Sequence, residues 1–423
     1  MKKWKPLLKE PLRSQALGVI DLIAESLRKR VIKQASLADG ATGLAILFDY
    51  LSEAQPDKRE WQIALKFLDQ ATDAVAATRM SPSLFGGFTG VAWAIAHLER
   101  KHRPDCNDED SNQVIDEALK RYLHHSPWEE DYDLVRGLVG FGVYAVERLP
   151  QRSAVHCLKL VVNRLEEIAE DTKSGITWHT APELLPNPIR KNFPRGYYNL
   201  GLVHGVPGVI VLLGQVCATS DDRLRDSCAK AHRLLKGAVT WLLEQQPADR
   251  SQSYPCYVGP GIASLPAPVA WWYGDLGIAS ALLMAARCLN QPAWEREALV
   301  IGRRAAARPA GQSGVVDSGL CYGAAGVGHL FNRLFQATGE ARFSAAARFW
   351  FARTLEMRRP NKGLAGFVVL TSRPNRPNEK RWITAPGILR GAAGIALALL
   401  AATTPIEPEW DRMLLLSGRV NLG

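Results

Sequence analysis

An all-α fold, built as a double-layered α/α toroid of seven helix pairs, is the reading that three features of the 423-residue chain support. A G-x-x-G turn followed by an apolar run recurs seven times, at Gly40/Gly43, Gly87/Gly90, Gly137/Gly140, Gly205/Gly208, Gly274/Gly277, Gly323/Gly326 and Gly391/Gly394. Successive first glycines lie 47, 50, 68, 69, 49 and 68 residues apart, and a unit of roughly 48 residues suits a helix pair with its connections. Segments of helical period lie between the turns, whereas runs of strand alternation are scarce. Length alone suggests two or three domains, but a repeat reaching from Gly40 to Gly394 predicts one, over residues 1–423.

The elements follow in order. Leu17 through Val31, Val155 through Ile168, Cys228 to Leu243 and Ala341 to Leu355 each set an apolar face against a charged one, the pattern of outer-layer helices. The segments that open with G-x-x-G are apolar all round, as in Val209-Ile210-Val211-Leu212-Leu213, and so predict buried inner helices. Glycine just before such a run marks a helix N-terminus, and Pro207 is tolerated in a first turn. Seven inner helices inside seven outer ones make the simplest closed arrangement.

If the inner helices run the same way, all seven turns gather at one end of the ring. The residues just before the first glycines are Asp39, Gly86, Arg136, His204, Tyr273, Tyr322 and Arg390, and these would face a common cavity. Converging helix N-termini with free N–H groups favour an anion, an enolate or a metal-bound thiolate. The plainer role of the glycines is close helix packing at a crowded axis, which is compatible with a site between them. Three long proline-bearing loops, 171–195, 246–270 and 358–386, each run into a turn and are expected to overhang the same rim.

Composition narrows the function classes. The formal charge is +10, with basic residues scattered and no module of a known nucleic-acid fold, so an acidic peptide partner suits the sign as well as nucleic acid does. Seven cysteines without a C-x-x-C pair suit a reducing compartment. The basic start, Met1 to Pro6, lacks a following apolar stretch, so no signal peptide is expected. No run of about 18 apolar residues predicts a membrane span. A cytoplasmic protein is the resulting expectation.

The turn Asn199-Leu200-Gly201-Leu202-Val203-His204-Gly205-Val206-Pro207-Gly208 resembles the N-L-G-x-x-H-G-x-P-G signature of the lanthionine synthetase C-like family. Ser83 to Gly87, Trp271 to Gly277, Leu320 to Gly326 and Leu389 to Gly394 fall in that family's order and spacing, so the resemblance covers nearly the whole chain. It implies the same seven-pair toroid. It also implies work on a lanthipeptide precursor, adding cysteine thiols to dehydroalanine or dehydrobutyrine to close thioether rings. By resemblance, His204 and Asp133 take the proton-handling places.

Family members hold zinc through two cysteines and a histidine, at the places of Trp272, Cys321 and Tyr322 here. Only Cys321 remains a plausible ligand, because indole offers no lone pair for a metal and phenol substitutes poorly for imidazole. Rescue by Cys256, His329 or His204 would need a rearranged site, so no metal cofactor is expected. Without zinc, Cys321 is either a small buried hydrophobe or a thiol activated by its helix start.

Three readings follow. In the first the protein still closes thioether rings, with His204 and Asp133 moving protons and Arg136, Arg390 and Tyr322 stabilising the enolate, while Trp272, Tyr273 and Cys321 contact substrate. In the second it is a non-catalytic partner that binds the precursor peptide or its dehydratase as a scaffold, with Trp272 and Tyr322 filling the metal pocket. The third is glycoside cleavage, which needs two carboxylates flanking a cleft, and only Asp39 and Asp133 stand near the mouth.

Overall fold

The computed structural model describes residues 3–102, 110–373 and 376–419. Met1 and Lys2 of the basic start, and Cys106 of the seven cysteines, lie outside these residues.

The described residues form fifteen α-helices: α1 (Leu12–Arg28), α2 (Ala41–Ala54), α3 (Glu60–Ala77), α4 (Phe88–His102), α5 (Gln113–Leu123), α6 (Leu138–Arg148), α7 (Arg152–Glu167), α8 (Asn187–Arg190), α9 (Val206–Cys217), α10 (Arg225–Glu244), α11 (Asp275–Cys288), α12 (Pro292–Ala307), α13 (Ala324–Thr338), α14 (Ala341–Glu356) and α15 (Ala392–Thr403). The seven that follow G-x-x-G turns, α2, α4, α6, α9, α11, α13 and α15, each pack on the next around a closed ring, and α15 returns to α2. Their outer partners are α3, α5, α7, α10, α12, α14 and α1. Pairing is therefore cyclic. The last inner helix takes the first helix of the chain, and the N-terminal strand of backbone is fastened there by Leu7 N and Leu8 N donating to Ala402 O (2.8 and 3.0 Å) and by Trp4 Nε1 donating to Ala401 O (2.7 Å).

The glycines explain how the inner helices start. In each repeat the chain curls so that a backbone carbonyl six residues back faces the glycine Cα. A Cβ on Gly43 would lie 2.6 Å from Leu37 O, and on Gly208 2.5 Å from Leu202 O. The second glycine also receives an apolar side chain from the neighbouring turn, Ile388 on Gly43, Leu37 on Gly90, Leu84 on Gly140, Leu202 on Gly277 and Leu320 on Gly394. Packing at a crowded axis is thus the main work of the repeat.

The turns gather at one end, as the repeat predicts, and bond to one another: Cys321 N to Leu389 O (2.8 Å), Ile388 N to Ala38 O (2.8 Å), Ala38 N to Phe85 O (3.0 Å) and Leu134 N to Val203 O (2.9 Å). One expectation is corrected. At five of the seven inner helices one first-turn N–H is not left free for an anion, because a carbonyl seven residues back accepts it: Ala41 N to Gln34 O (2.8 Å), Phe88 N to Ser81 O (3.0 Å), Val139 N to Tyr132 O (3.0 Å), Ala324 N to Asp317 O (2.9 Å) and Ala392 N to Ala385 O (3.0 Å).

The chain's own tail fills the middle of the ring. A 3₁₀ segment, Glu409–Leu414, buries Trp410, Met413 and Leu414 among the inner helices. Its Asp411 is fully buried, accepting from Arg333 Nε (2.7 Å) and meeting His329 Nε2 (2.7 Å). Trp271 Nε1 donates to Leu414 O (2.9 Å), which carries the tail up to the floor of the turns.

The three long loops are ordered by short strands: β1 (Glu170–Thr172), β2 (Gly175–Thr177), β3 (His179–Thr180), β4 (Tyr197–Asn199), β5 (Tyr257–Val258), β6 (Val369–Arg373) and β7 (Arg376–Ile383). The first two loops share an antiparallel sheet in the order β3-β4-β5, and β4 feeds the His204 turn. The third is a β6–β7 hairpin with Thr371 opposite Arg381.

Gly394→Ala is expected to cost about 2 kcal/mol or more, because its Cβ would clash with Ile388 backbone. Gly18→Ala, inside α1 with nothing near its Cα, is expected to gain about 0.5–1 kcal/mol. Chemical denaturation of both variants checks the pair, and equal effects would contradict the packing role given to the turn glycines.

Candidate functional site

At the ring mouth, His204 and Asp133 come from adjacent turns, and Leu134 N bonding to Val203 O holds those turns side by side. His204 Nδ1 pairs with Asp133 Oδ2, and the other carboxylate oxygen accepts Arg136 N–H at 2.7 Å. The Asp133 side chain is 5% exposed and that of His204 24%. Burial pushes the Asp133 carboxyl upward, but the His204 contact and the Arg136 N–H together outweigh it and hold the group below its ordinary range. The carboxylate therefore fixes the imidazole ring and leaves Nε2 without a partner among the described residues.

Asp131, two residues before Asp133, was not singled out in the sequence. Its carboxyl is pushed up to about 6, first by burial and then by the Asp133 charge, with Arg136 Nε 3.4 Å away only partly offsetting this. Two carboxylates one residue apart in a single tight turn were the signal available.

Beside the dyad stands an aromatic stack. The His204 and Trp272 rings lie 5.0 Å apart, and Trp272 stacks on Tyr322 at 4.9 Å with the planes 16° apart. Tyr322 is 38% exposed. Tyr273 turns aside, sharing a hydroxyl hydrogen bond with Tyr257 (2.9 Å) and lying against the Gly201 backbone.

Beyond the stack is a second group. Cys321, Tyr322, Asp317, Thr371, Lys380 and Arg390 help line a cavity of about 190 Å³ between the turns and the β6–β7 hairpin. Arg390 donates to Thr371 Oγ1 (3.2 Å) and lies 3.8 Å from Asp39. Asp317 accepts Gly319 N (3.0 Å) and Leu370 N (3.1 Å), tying the hairpin to the ring. The candidate residues thus fall into two sets, His204, Asp133 and Arg136 on one side of Trp272, and Tyr322, Cys321 and Arg390 on the other. Asp39 and Asp133 are engaged separately, by Arg390 and His204, so the paired carboxylates of the glycosidase reading are not assembled.

The donor set does not fit a zinc ion. Two of the three ligand places that the resemblance implies are Trp272 and Tyr322, which stack on each other. Cys321 is 1% exposed, and burial drives its thiol well above the ordinary range, so the helix start does not make it a thiolate. Rescue by the other candidates is not assembled: His329 is fully buried against Asp411 and Trp410, burial pushes the Cys256 thiol up to about 11, and of the His204 nitrogens only Nε2 stays open. No three His, Cys, Asp or Glu side chains converge into a metal-sized group among the described residues.

Comparison with known proteins agrees with the resemblance carried by the turns. The family described as lanthionine synthetase C-like protein matches residues 31–415. The nisin biosynthesis protein NisC of Lactococcus lactis subsp. lactis is 25% identical over 233 residues. That match takes in 47% of this chain and 52% of that protein, so it spans about half the length of the curated relative. A solved structure of nisin cyclase superposes with a TM-score of 0.72, covering 96% of this chain and 98% of that one at 18% identity, which supports the fold. No helix among the described residues is long and apolar enough to cross a membrane.

Asp131→Asn is expected to raise the unfolding temperature at pH 7.5 but hardly at pH 4. A carboxyl raised in the folded state contributes its stability below its unfolded value, near 3.8, and loses it as pH climbs through about 6. Thermal unfolding across that window checks this; a variant with the wild-type pH dependence would refute the placement of Asp131.

Proposed function

Because the chain belongs to the lanthionine synthetase C-like family, we propose that it closes thioether rings in a dehydrated precursor peptide without a resident zinc. The observation that carries this reading is the His204–Asp133 pair, a buried carboxylate orienting a partly exposed imidazole. The reaction adds an S–H bond across the Cα=Cβ bond of dehydroalanine or dehydrobutyrine. His204 Nε2 takes the thiol proton as sulfur bonds to Cβ, and the electron pair moves onto the carbonyl as an enolate. The imidazolium then returns that proton to Cα, so none is gained or lost overall. Asp133 keeps the ring in place and stabilises its charged form.

Arg136 is the cation on the dyad's side of Trp272 and is assigned to the enolate. Tyr322 and Arg390, beyond Trp272, are better placed to hold the peptide than to touch the reacting atoms, as are Trp272 and Tyr273. This departs from the grouping drawn from the sequence. Since thiol addition to dehydroalanine is chemically facile, holding the two groups in register supplies much of what the enzyme must give. The partners in this reading are the precursor peptide and its dehydratase, in the cytoplasm.

The stacked Trp272 and Tyr322, filling the family's metal position, favour a second reading in which the protein holds the peptide or the dehydratase without catalysis. His204→Ala in a reconstituted reaction separates the two. A loss of about a hundredfold or more in ring closure is expected of a general acid–base, and an unchanged rate would leave only the scaffold.

Metal content gives an independent check. Elemental analysis is expected to find background zinc in the wild type and about one zinc per chain in Trp272→Cys/Tyr322→His, which restores a Cys₂His donor set. A tightly held zinc in the wild type would overturn the metal-free mechanism.

A further inference from the structure

Basic residues are scattered along the chain, yet one segment holds a marked excess of them over acids. Residues 358–390 carry eight Lys and Arg and a single acid, Glu379, a net charge of +7 where the whole chain has +10. This segment is the loop that forms β6 and β7. Arg359, Lys362, Lys380 and Arg381 are exposed on it. Trp382 is 43% exposed, with the Arg359 guanidinium 4.9 Å above its ring. On its strands, Lys380 and Thr371 line the cavity that also takes in Arg390 and Tyr322, one ring away from His204 by way of Trp272.

We propose that the β6–β7 hairpin is the docking surface for an acidic, extended segment of the peptide substrate, which it guides through the cavity toward the ring mouth. Charge complementarity supplies the attraction, and Trp382 supplies an apolar contact beside the cations. The track is not uniformly positive, since Asp39 lies 3.8 Å from Arg390 and Asp317 sits in the cavity wall. A peptide with spaced carboxylates can pass those points. A nucleic acid, with a phosphate at every unit, meets repulsion there. The nature of the partner rests on the peptide-cyclising reading above; the surface itself does not.

The test is fluorescence anisotropy of the full chain with a labelled synthetic peptide of alternating Glu and Ser, alongside a Lys/Ser peptide and a single-stranded oligonucleotide of matched charge. The acidic peptide is expected to bind, to weaken as salt is raised, and to bind Arg359→Glu/Lys380→Glu/Arg381→Glu at least about tenfold less tightly. The milder Lys380→Ala/Arg381→Ala should lose about threefold, which keeps the test open if the triple variant misfolds. His204→Ala should bind as the wild type does, so a failure of the catalytic reading leaves this result intact. Absence of binding, equal binding by folded charge variants, or tighter capture of the oligonucleotide that those variants abolish would each overturn the proposal.

Discussion

Close approach of the backbone to itself at seven turns is what the rest of the molecule depends on. At each turn a carbonyl six residues back occupies the space a Cβ would need, and at five of the seven a Leu or Ile of the neighbouring turn packs on the second glycine. At five of the seven a first-turn N–H then finds a carbonyl partner seven residues back, so those helices start deep inside the protein with fewer buried donors unpaired. Only because that cost is met can the inner helices be apolar on every side. Their turns meet at one end, and the side chains just before the glycines are brought together from positions hundreds of residues apart.

The same geometry shapes the electrostatics of the mouth. With a first-turn N–H already bonded at five of the seven inner helices, side chains supply much of the field there. Asp133 is held below its ordinary range despite burial because His204 and the Arg136 N–H hold it, while at Asp131 burial and the Asp133 charge outweigh the Arg136 guanidinium and push the carboxyl up to about 6. A few residues therefore set both a fixed negative charge and a titrating one beside a single imidazole. Across the Trp272–Tyr322 stack, burial keeps Cys321 protonated, so the cysteine that resembles a metal ligand behaves as core. The aromatic pair divides the mouth into an acid–base side and a cationic side.

Closure of the ring involves both ends of the chain. The N-terminal residues pair with α15 through Ala401 and Ala402, while the tail rises through the middle and reaches Trp271, the neighbour of Trp272. Asp411, fully buried yet held well below the usual carboxylate range by the Arg333 guanidinium and His329, anchors that tail. Breaking one partner of such a buried group leaves an uncompensated charge, so the tail is fastened far more firmly than a surface segment would be.

By itself the sequence determined the seven helix pairs, the inner and outer layers, and His204 as a residue to watch, while Asp133 came only through the family resemblance. Those are local properties: glycine spacing, helical period and the chemistry of one motif. It also disclosed that Trp272 and Tyr322 cannot act as zinc ligands, because ligand chemistry belongs to the side chain alone. Only the tertiary structure decided that α15 pairs with α1, that the tail fills the axis, and that Arg136 and Arg390 stand on opposite sides of Trp272. Cys321 illustrates the difference well. Nothing in Leu320-Cys321-Tyr322 says whether the thiol is activated or inert, because its ionisation depends on how much protein surrounds it. Free helix N–H groups were a fair inference from glycine-led helices, yet at five of the seven starts a carbonyl from the preceding turn had already claimed one. Which donors and charges remain available is settled by what the folded chain packs against them.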